Sequence, residues 1–215
     1  MSQIKAIYFD VANTLLQKQD LIINIDSILK LHGYTIPINH LERIHKQLSE
    51  IILFPDKTSF DFYQNFNKEL LCSLSIVPNE EIIKDIFKAC TYLPWSPFED
   101  LKILDKIEHP KGVISNWDTS LPEKLSINFP NVHFGSILGS ELKGFRKPNL
   151  KFYEIMIEES GLKPKEILYI GDSFKLDIIP AKSLGVTSIL IDRLNIYPYT
   201  NVLKIRNMNE IERWL

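Results

Sequence analysis

Lys5-Ala6-Ile7-Tyr8-Phe9-Asp10-Val11-Ala12-Asn13-Thr14-Leu15 runs from a short, largely apolar segment into a polar turn that opens on a carboxylate. Lys5 to Phe9 does not alternate apolar with polar residues, and a continuous run of this length is the pattern of a strand covered on both faces, as in a parallel sheet. Similar β-rich runs recur at Gly112 to Ile114, Ile167 to Ile170, Thr187 to Ile191 and Val202 to Ile205. Between them, Phe98 to Ile107, Leu121 to Asn128, Leu150 to Glu159 and Leu176 to Leu184 carry apolar residues at helical spacing. Strands alternating with helices predict an α/β fold with a doubly wound, mostly parallel sheet.

The segment from about Gln17 to Leu93 breaks that alternation. Asp20 to Leu31, Ile38 to Leu53, Phe60 to Leu74 and Glu80 to Ala89 each place apolar residues three and four apart, with Pro37, Pro55 and Pro78 in the gaps. Four helices are therefore expected to follow the first strand as an insert. Residues 17–94 would form a helical domain, and residues 1–16 with 95–215 the α/β core. Gly33 is the only glycine of the insert, whereas the other seven fall between Gly112 and Gly185, where strand-to-helix turns must be tight.

With 215 residues, 45% apolar and 24% charged, the chain can bury a full core. A net charge of -2 and a pI near 6.2 give no bulk attraction to polyanions, so neither nucleic acid nor an anionic membrane is an expected partner. The N-terminus lacks the order of a signal peptide, and no stretch approaches the roughly 20 apolar residues of a membrane span. A cytoplasmic protein with a small-molecule partner is the expectation. Cys72 and Cys90 have no close pair or metal-type spacing and read as buried free thiols. His40 and His45 lie about 140° apart around a helix and do not make the same-face pair of a zinc helix.

In an open parallel sheet, ligands bind beyond the carboxyl ends of the strands. Four such ends hold polar residues. Asp10, desolvated at the mouth of its strand, is suited to act as a nucleophile or cation ligand, or equally to cap a turn. At Ile114-Ser115-Asn116-Trp117-Asp118, a hydroxyl and backbone N–H groups suit a phosphate oxygen; a serine N-cap, a packed Trp117 and a capping Asp118 are the plainer alternatives. Gly144-Phe145-Arg146-Lys147-Pro148-Asn149 supplies a point charge at Lys147 able to offset two anions that must meet; surface exposure is the default for Arg146. Tyr169-Ile170-Gly171-Asp172-Ser173, followed by Asp177, is the most specific of the four. Two carboxylates five residues apart, opened by a glycine after an apolar strand, suit a hard cation.

Together and in this order, the four segments resemble the haloacid dehalogenase superfamily of phosphohydrolases and their relatives. Its pattern is an Asp at the first strand, a Ser or Thr at the second, a Lys before the third and an acidic pair at the fourth. The resemblance spans the whole chain, since the helical insert is similar to the family's four-helix cap over a Rossmann-like core. It implies that Asp10 attacks phosphorus to give an aspartyl phosphate, and that Ser115, Asn116 and Lys147 hold the phosphoryl oxygens. Mg²⁺ is implied as cofactor, held by Asp10, the backbone carbonyl of Ala12 and Asp172, with Asp177 orienting its water shell. The substrate would be a small phosphorylated molecule. Specificity would sit on cap residues, with Gln17, Phe54 and Tyr63 as candidates.

The departure from the pattern is Ala12. The family's phosphatases carry a second Asp there, which protonates the leaving alcohol and later activates water; a methyl group does neither. A positioned general acid/base contributes about 10² to 10⁴ in rate. Asn13 stands where the family has Gly, and Asn is the residue next most tolerant of a left-handed turn. The expectation is a phosphatase-type hydrolase with weakened acid/base catalysis. The alternatives are a weak or inactive relative that binds a phosphorylated ligand or partner, a dehalogenase whose halide needs no proton, and a phosphonate-cleaving variant using a cap lysine such as Lys30, Lys46 or Lys57.

Overall fold

Ala6–Phe9 forms strand β1 of a computed structural model that describes residues 3–215, and all four of its side chains are buried. Full burial of Ile7 and Phe9 contributes about 1.5–3 kcal/mol each. Next come β2 (Leu16–Gln17), helices α1 (Leu21–Leu31), α2 (Ile38–Ile51), α3 (Phe60–Ser73) and α4 (Glu80–Cys90), and β3 (Ser96–Pro97). The remainder comprises β4 (Lys111–Ser115), α5 (Leu121–Asn128), β5 (Phe134–Gly139), α6 (Ser140–Lys143), α7 (Leu150–Ser160), β6 (Ile167–Gly171), α8 (Ile179–Ser183), β7 (Thr187–Ile191) and β8 (Lys204–Ile205). Two compact units result. One is the chain up to Gln17 with Ser96–Leu215, and the other is Lys18–Trp95.

The first unit is built on a six-stranded sheet in the order β5-β4-β1-β6-β7-β8, with every neighbouring pair parallel. The chain fills the sheet on one side of β1 with β4 and β5, then crosses to the other side with β6, β7 and β8. The carboxyl end of β1 is therefore the switch point where such sheets leave a crevice. Phe9 is level with Val113 of β4 and Ile170 of β6, so Asp10, Ser115 and Asp172 emerge at the same end. Tyr8 and Tyr169 face Phe152, Tyr153 and Met156 of α7 in one apolar layer.

The second unit is an all-helical bundle around Ile25, Leu29, Leu41, Phe66, Leu70 and Ile82. Its helices start where the sequence provides side-chain caps: the Ser59 hydroxyl accepts the Phe62 N–H and the Asn79 side-chain carbonyl accepts the Ile82 N–H. His45 of α2 sits edge-on to Phe66, with ring centroids 5.1 Å apart. Burial, aided by the charge of Lys46, lowers its pKa from 6.5 to about 4. The unfolded chain then binds a proton that native His45 does not. Stability from this residue is fully present above pH 6.5 and is lost as the pH falls towards 4, by at most about 3 kcal/mol. Urea denaturation of the parent and a His45→Gln variant, above pH 6.5 and near pH 4, checks this. The parent should lose more stability on acidification than the variant; equal losses contradict the assignment.

Several sequence expectations need correction. Phe98 to Ile107 is not an α-helix but a 3-10 turn over Glu99–Asp105. The strand expected from Val202 shrinks to Lys204–Ile205 at the sheet edge. β5 and α6 were not anticipated: Gly135, Ser136 and Gly139 interrupt the apolar run that would have signalled an edge strand. Nor were β2 and β3, a two-residue antiparallel ribbon whose pairing joins residues 79 or more positions apart. Both cysteines are free, yet neither is buried: Cys72 is exposed on α3 and Cys90 is half-buried at the end of α4. Among the described residues, no helix is long and apolar enough to cross a membrane.

Candidate active site

Asp10 continues the ladder of β1 by one bond, its N–H donating to the Ile170 carbonyl at 2.8 Å, so its side chain is aimed by the sheet itself. The chain then turns on the Val11 carbonyl, which accepts the N–H groups of Thr14, Leu15 and Leu16. Asn13 takes the left-handed conformation at φ 60°, as its side chain permits where glycine is absent. This turn brings Thr14 inward, and its hydroxyl donates to Asp172 Oδ1 at 3.4 Å.

Lys147 Nζ lies between two carboxylates, 2.5 Å from Asp10 Oδ1 and 2.6 Å from Asp177 Oδ1. Ser115 Oγ donates to the same Asp10 oxygen at 3.1 Å rather than capping a helix. The Asn116 side chain grips the Lys147 backbone from both sides, its Oδ1 accepting the Lys147 N–H at 2.7 Å and its Nδ2 donating to the Lys147 carbonyl at 3.1 Å. A substrate contact by Asn116 would therefore fall to its backbone N–H. Trp117 is packed, as the plainer reading had it, whereas Asp118 does not cap α5: its Oδ1 accepts the N–H of Ser120, the N-cap residue, in the preceding turn. Arg146 is half-buried rather than on the surface.

Asp177 owes its place to a proline. Pro180 has no N–H to give the Leu176 carbonyl, and the Tyr153 hydroxyl donates to that carbonyl instead, at 2.5 Å. The helix expected to begin at Leu176 starts instead as a π-turn over Phe174–Ile178, with the Ile178 N–H reaching the Ser173 carbonyl five residues back. Such turns are frequent at functional sites. The π-turn sets Asp177 against the end of β6, where Oδ2 accepts the Ser173 N–H at 2.9 Å and Oδ1 accepts the Tyr169 hydroxyl at 2.6 Å as well as Lys147.

That approach requires Gly171. A Cβ there would lie 2.4 Å from the Asp177 carboxyl group, so the carboxylate would have to leave its three donors. Gly171→Ala should cost about 1–3 kcal/mol as overpacking. Gly135→Ala is the control, because a Cβ at Gly135 meets nothing nearer than 3.9 Å. Chemical denaturation of the two variants checks this, and equal midpoints would contradict it.

Asp10, Asp172 and Asp177 are all buried, and each offers a carboxylate oxygen within 4.8 Å of the others. Burial raises the Asp10 pKa; Lys147 opposes the shift and the nearby Asp177 charge adds to it. Burial pulls the Lys147 pKa down, but the two carboxylates outweigh it and hold the lysine above its ordinary range. Burial, then Asp177, raises Tyr169 well above the usual phenol. Two of these three buried carboxylates, Asp10 and Asp177, share the buried Lys147 ammonium. An all-oxygen donor set of three carboxylates is the composition a hard divalent cation takes.

Thr14, Tyr169 and Tyr153 were not singled out from the sequence. Tyr169 carried a weak signal, a polar-tipped residue two positions before Gly171 and so on the same face of its strand. Arg193 carried none. It lies over the Phe98 ring at 4.0 Å, pairs with Asp100 and donates to the Thr14 carbonyl at 3.3 Å, tying down the turn that carries Thr14.

Comparison with known proteins agrees with this architecture. A glyceraldehyde 3-phosphate phosphatase of Methanothermobacter thermautotrophicus is 26% identical over 209 residues, covering 88% of this chain and 86% of that protein. Among solved structures, the HAD-hydrolase YfnB of Bacillus subtilis bound to magnesium superposes with a TM-score of 0.63 at 18% identity, over 99% of this chain and 98% of that one. The L-2-haloacid dehalogenase of Xanthobacter autotrophicus gives 0.63 at 16% identity, over 98% of each chain. These two share the fold. The family model described as haloacid dehalogenase-like hydrolase matches residues 7–191, most of the chain. This protein therefore belongs to the haloacid dehalogenase-like hydrolase family.

Proposed function

We propose that the protein is a Mg²⁺-dependent phosphohydrolase acting on a small phosphorylated molecule through an aspartyl-phosphate intermediate at Asp10. The observation that carries this reading is the buried cluster in which Asp10, Asp172 and Asp177 lie together, with Lys147 bridging Asp10 and Asp177. Asp10 and Asp172 would hold the cation with the Ala12 carbonyl, which takes none of the three turn N–H groups gathered by Val11. Both oxygens of Asp177 already accept protein donors, which suits it to orienting Lys147 and metal-bound water. Mg²⁺ would supply charge neutralisation for the phosphoryl group. Ser115 Oγ, which donates to Asp10, and the Asn116 N–H would bind phosphoryl oxygens, and Lys147 would offset the repulsion between Asp10 and an anionic substrate. Positioning and charge neutralisation are the main contributions available to phosphoryl transfer.

Halide displacement shares the nucleophile but gives no use to an acidic cluster of this composition. Lys30 is paired with Asp26 and Lys46 with Glu50, each at 2.6 Å across one helical turn, which disfavours either as a Schiff-base lysine. The test is a panel of acyl phosphates and phosphate esters, glyceraldehyde 3-phosphate included because the Methanothermobacter relative is named for it. Turnover should fall about 10²-fold or more when EDTA replaces Mg²⁺. Metal-independent turnover of 2-haloacids overturns the proposal. Ligand binding without any turnover, with activity appearing in Ala12→Asp, would favour an inactive phosphate-binding relative.

A further inference from the structure

Two residues past Asp10, where the turn is pinned by the Val11 carbonyl and the Ala12–Leu16 bridge, the side chain is a methyl group. The acidic groups of the α/β unit around Asp10 are engaged elsewhere. Asp172 accepts from Thr14, and both oxygens of Asp177 are bonded. The Tyr169 hydroxyl is given to Asp177 and the Lys147 ammonium to two carboxylates. His109 and His133 precede β4 and β5, at the amino ends of the strands, the far edge of the sheet from Asp10. Among the described residues of this unit, each ionisable side chain hydrogen-bonded into this cluster thus already has a partner there.

Phosphoryl transfer through an aspartate uses an uncommitted acid or base twice, once to protonate the departing oxygen and once to take a proton from water. We infer that this site acts on phosphates whose leaving group departs as a stable anion, acyl phosphates foremost, and that its phosphoenzyme accumulates. The inference rests on the phosphohydrolase reading and sharpens its substrate class. In the first step an Asp10 oxygen bonds to phosphorus, the bond from phosphorus to the leaving oxygen breaks, and its electron pair leaves on that oxygen without a proton. In the second, water bonds to phosphorus, the Asp10–phosphorus bond breaks with its pair returning to the carboxylate, and the proton of water passes to bulk solvent.

The chemistry of the leaving groups decides which substrates tolerate this. A carboxylate is the conjugate base of an acid of pKa about 4, and a phenolate of one near 10. An alkoxide resembles hydroxide, whose conjugate acid lies near 15.7. Only the first is stable unprotonated at neutral pH, and the loss of a positioned acid costs the others about 10² to 10⁴ in rate.

The test uses the full chain with Mg²⁺ and three substrates: acetyl phosphate, phenyl phosphate and glycerol 3-phosphate. kcat/KM reports events up to phosphorylation of Asp10. It should fall steeply from acetyl to glycerol phosphate, and Ala12→Asp should raise the glycerol phosphate value by about 10² to 10⁴. Rapid mixing of the parent with acetyl phosphate should give a burst near one equivalent, and quenched enzyme should carry one phosphoryl group by intact mass, absent from Asp10→Asn. Comparable kcat/KM for acetyl and glycerol phosphates in the parent overturns the inference but leaves the phosphohydrolase reading standing, as does unphosphorylated enzyme during steady-state turnover. These measurements need only the parent, so a poorly folding Ala12→Asp does not spoil them. Absence of turnover of all three removes both.

Discussion

Lys147→Met should destabilise this protein by about 3–5 kcal/mol at neutral pH, because it leaves buried Asp10 and Asp177 without the ammonium they share. Lys147 is only 3% exposed, and its ammonium touches Asp10 and Asp177. Methionine fills most of the volume, so the loss reports charge rather than packing. Two accompanying results identify the cause. Added Mg²⁺ should raise the unfolding midpoint more in the variant than in the parent, since a bound cation would compensate the same carboxylates. Adding Asp177→Asn should restore part of the stability, a coupling a double-mutant cycle reads directly. An unchanged midpoint in urea would show that the lysine does not hold the cluster together.

Asp10→Asn is expected to separate activity from stability. If Asp10 is the nucleophile, turnover of acetyl phosphate should fall on the order of 10⁴-fold or more, since an amide oxygen does not replace a carboxylate in forming the acyl phosphate. Stability should not fall with it. Burial is the largest influence on the Asp10 carboxyl and favours its uncharged form over the pull of Lys147, so a neutral side chain of the same shape suits the folded state. A residue that costs stability where it stands and is needed for turnover is the pattern of an active-site group. Wild-type turnover in Asp10→Asn, or a large loss of stability without loss of rate, would move the nucleophile elsewhere.

Local sequence reached far in this chain where the signal was itself local. The continuous apolar runs at Ala6–Phe9, Ile167–Gly171 and Thr187–Ile191 are strands because both faces of a parallel sheet are covered, and nothing distant is needed to read that. The four helices of the insert follow from apolar spacing, with Pro37, Pro55 and Pro78 in the gaps between them. The edge strand Phe134–Gly139 escaped notice because its pairing with β4, not its own composition, makes it a strand. The π-turn escaped notice for a similar reason. Pro180 breaks a helical bond locally, but the Tyr153 hydroxyl that satisfies the Leu176 carbonyl comes from another helix.

For the candidate site, the sequence by itself singled out Asp10, Ser115, Lys147, Asp172 and Asp177, each just beyond an apolar run or before a helix and so expected at one end of the sheet, and Ala12 as the departure from the family pattern. Only the tertiary structure decided how those groups share charge. Lys147 bridges Asp10 and Asp177 across 137 and 30 positions of sequence. Tyr169 and the Ser173 N–H take up what remains of Asp177, and Thr14 reaches Asp172. Strand periodicity fixes where a side chain leaves the backbone, whereas the partner it meets depends on register, sheet order and the space left by Gly171, which distant segments set together.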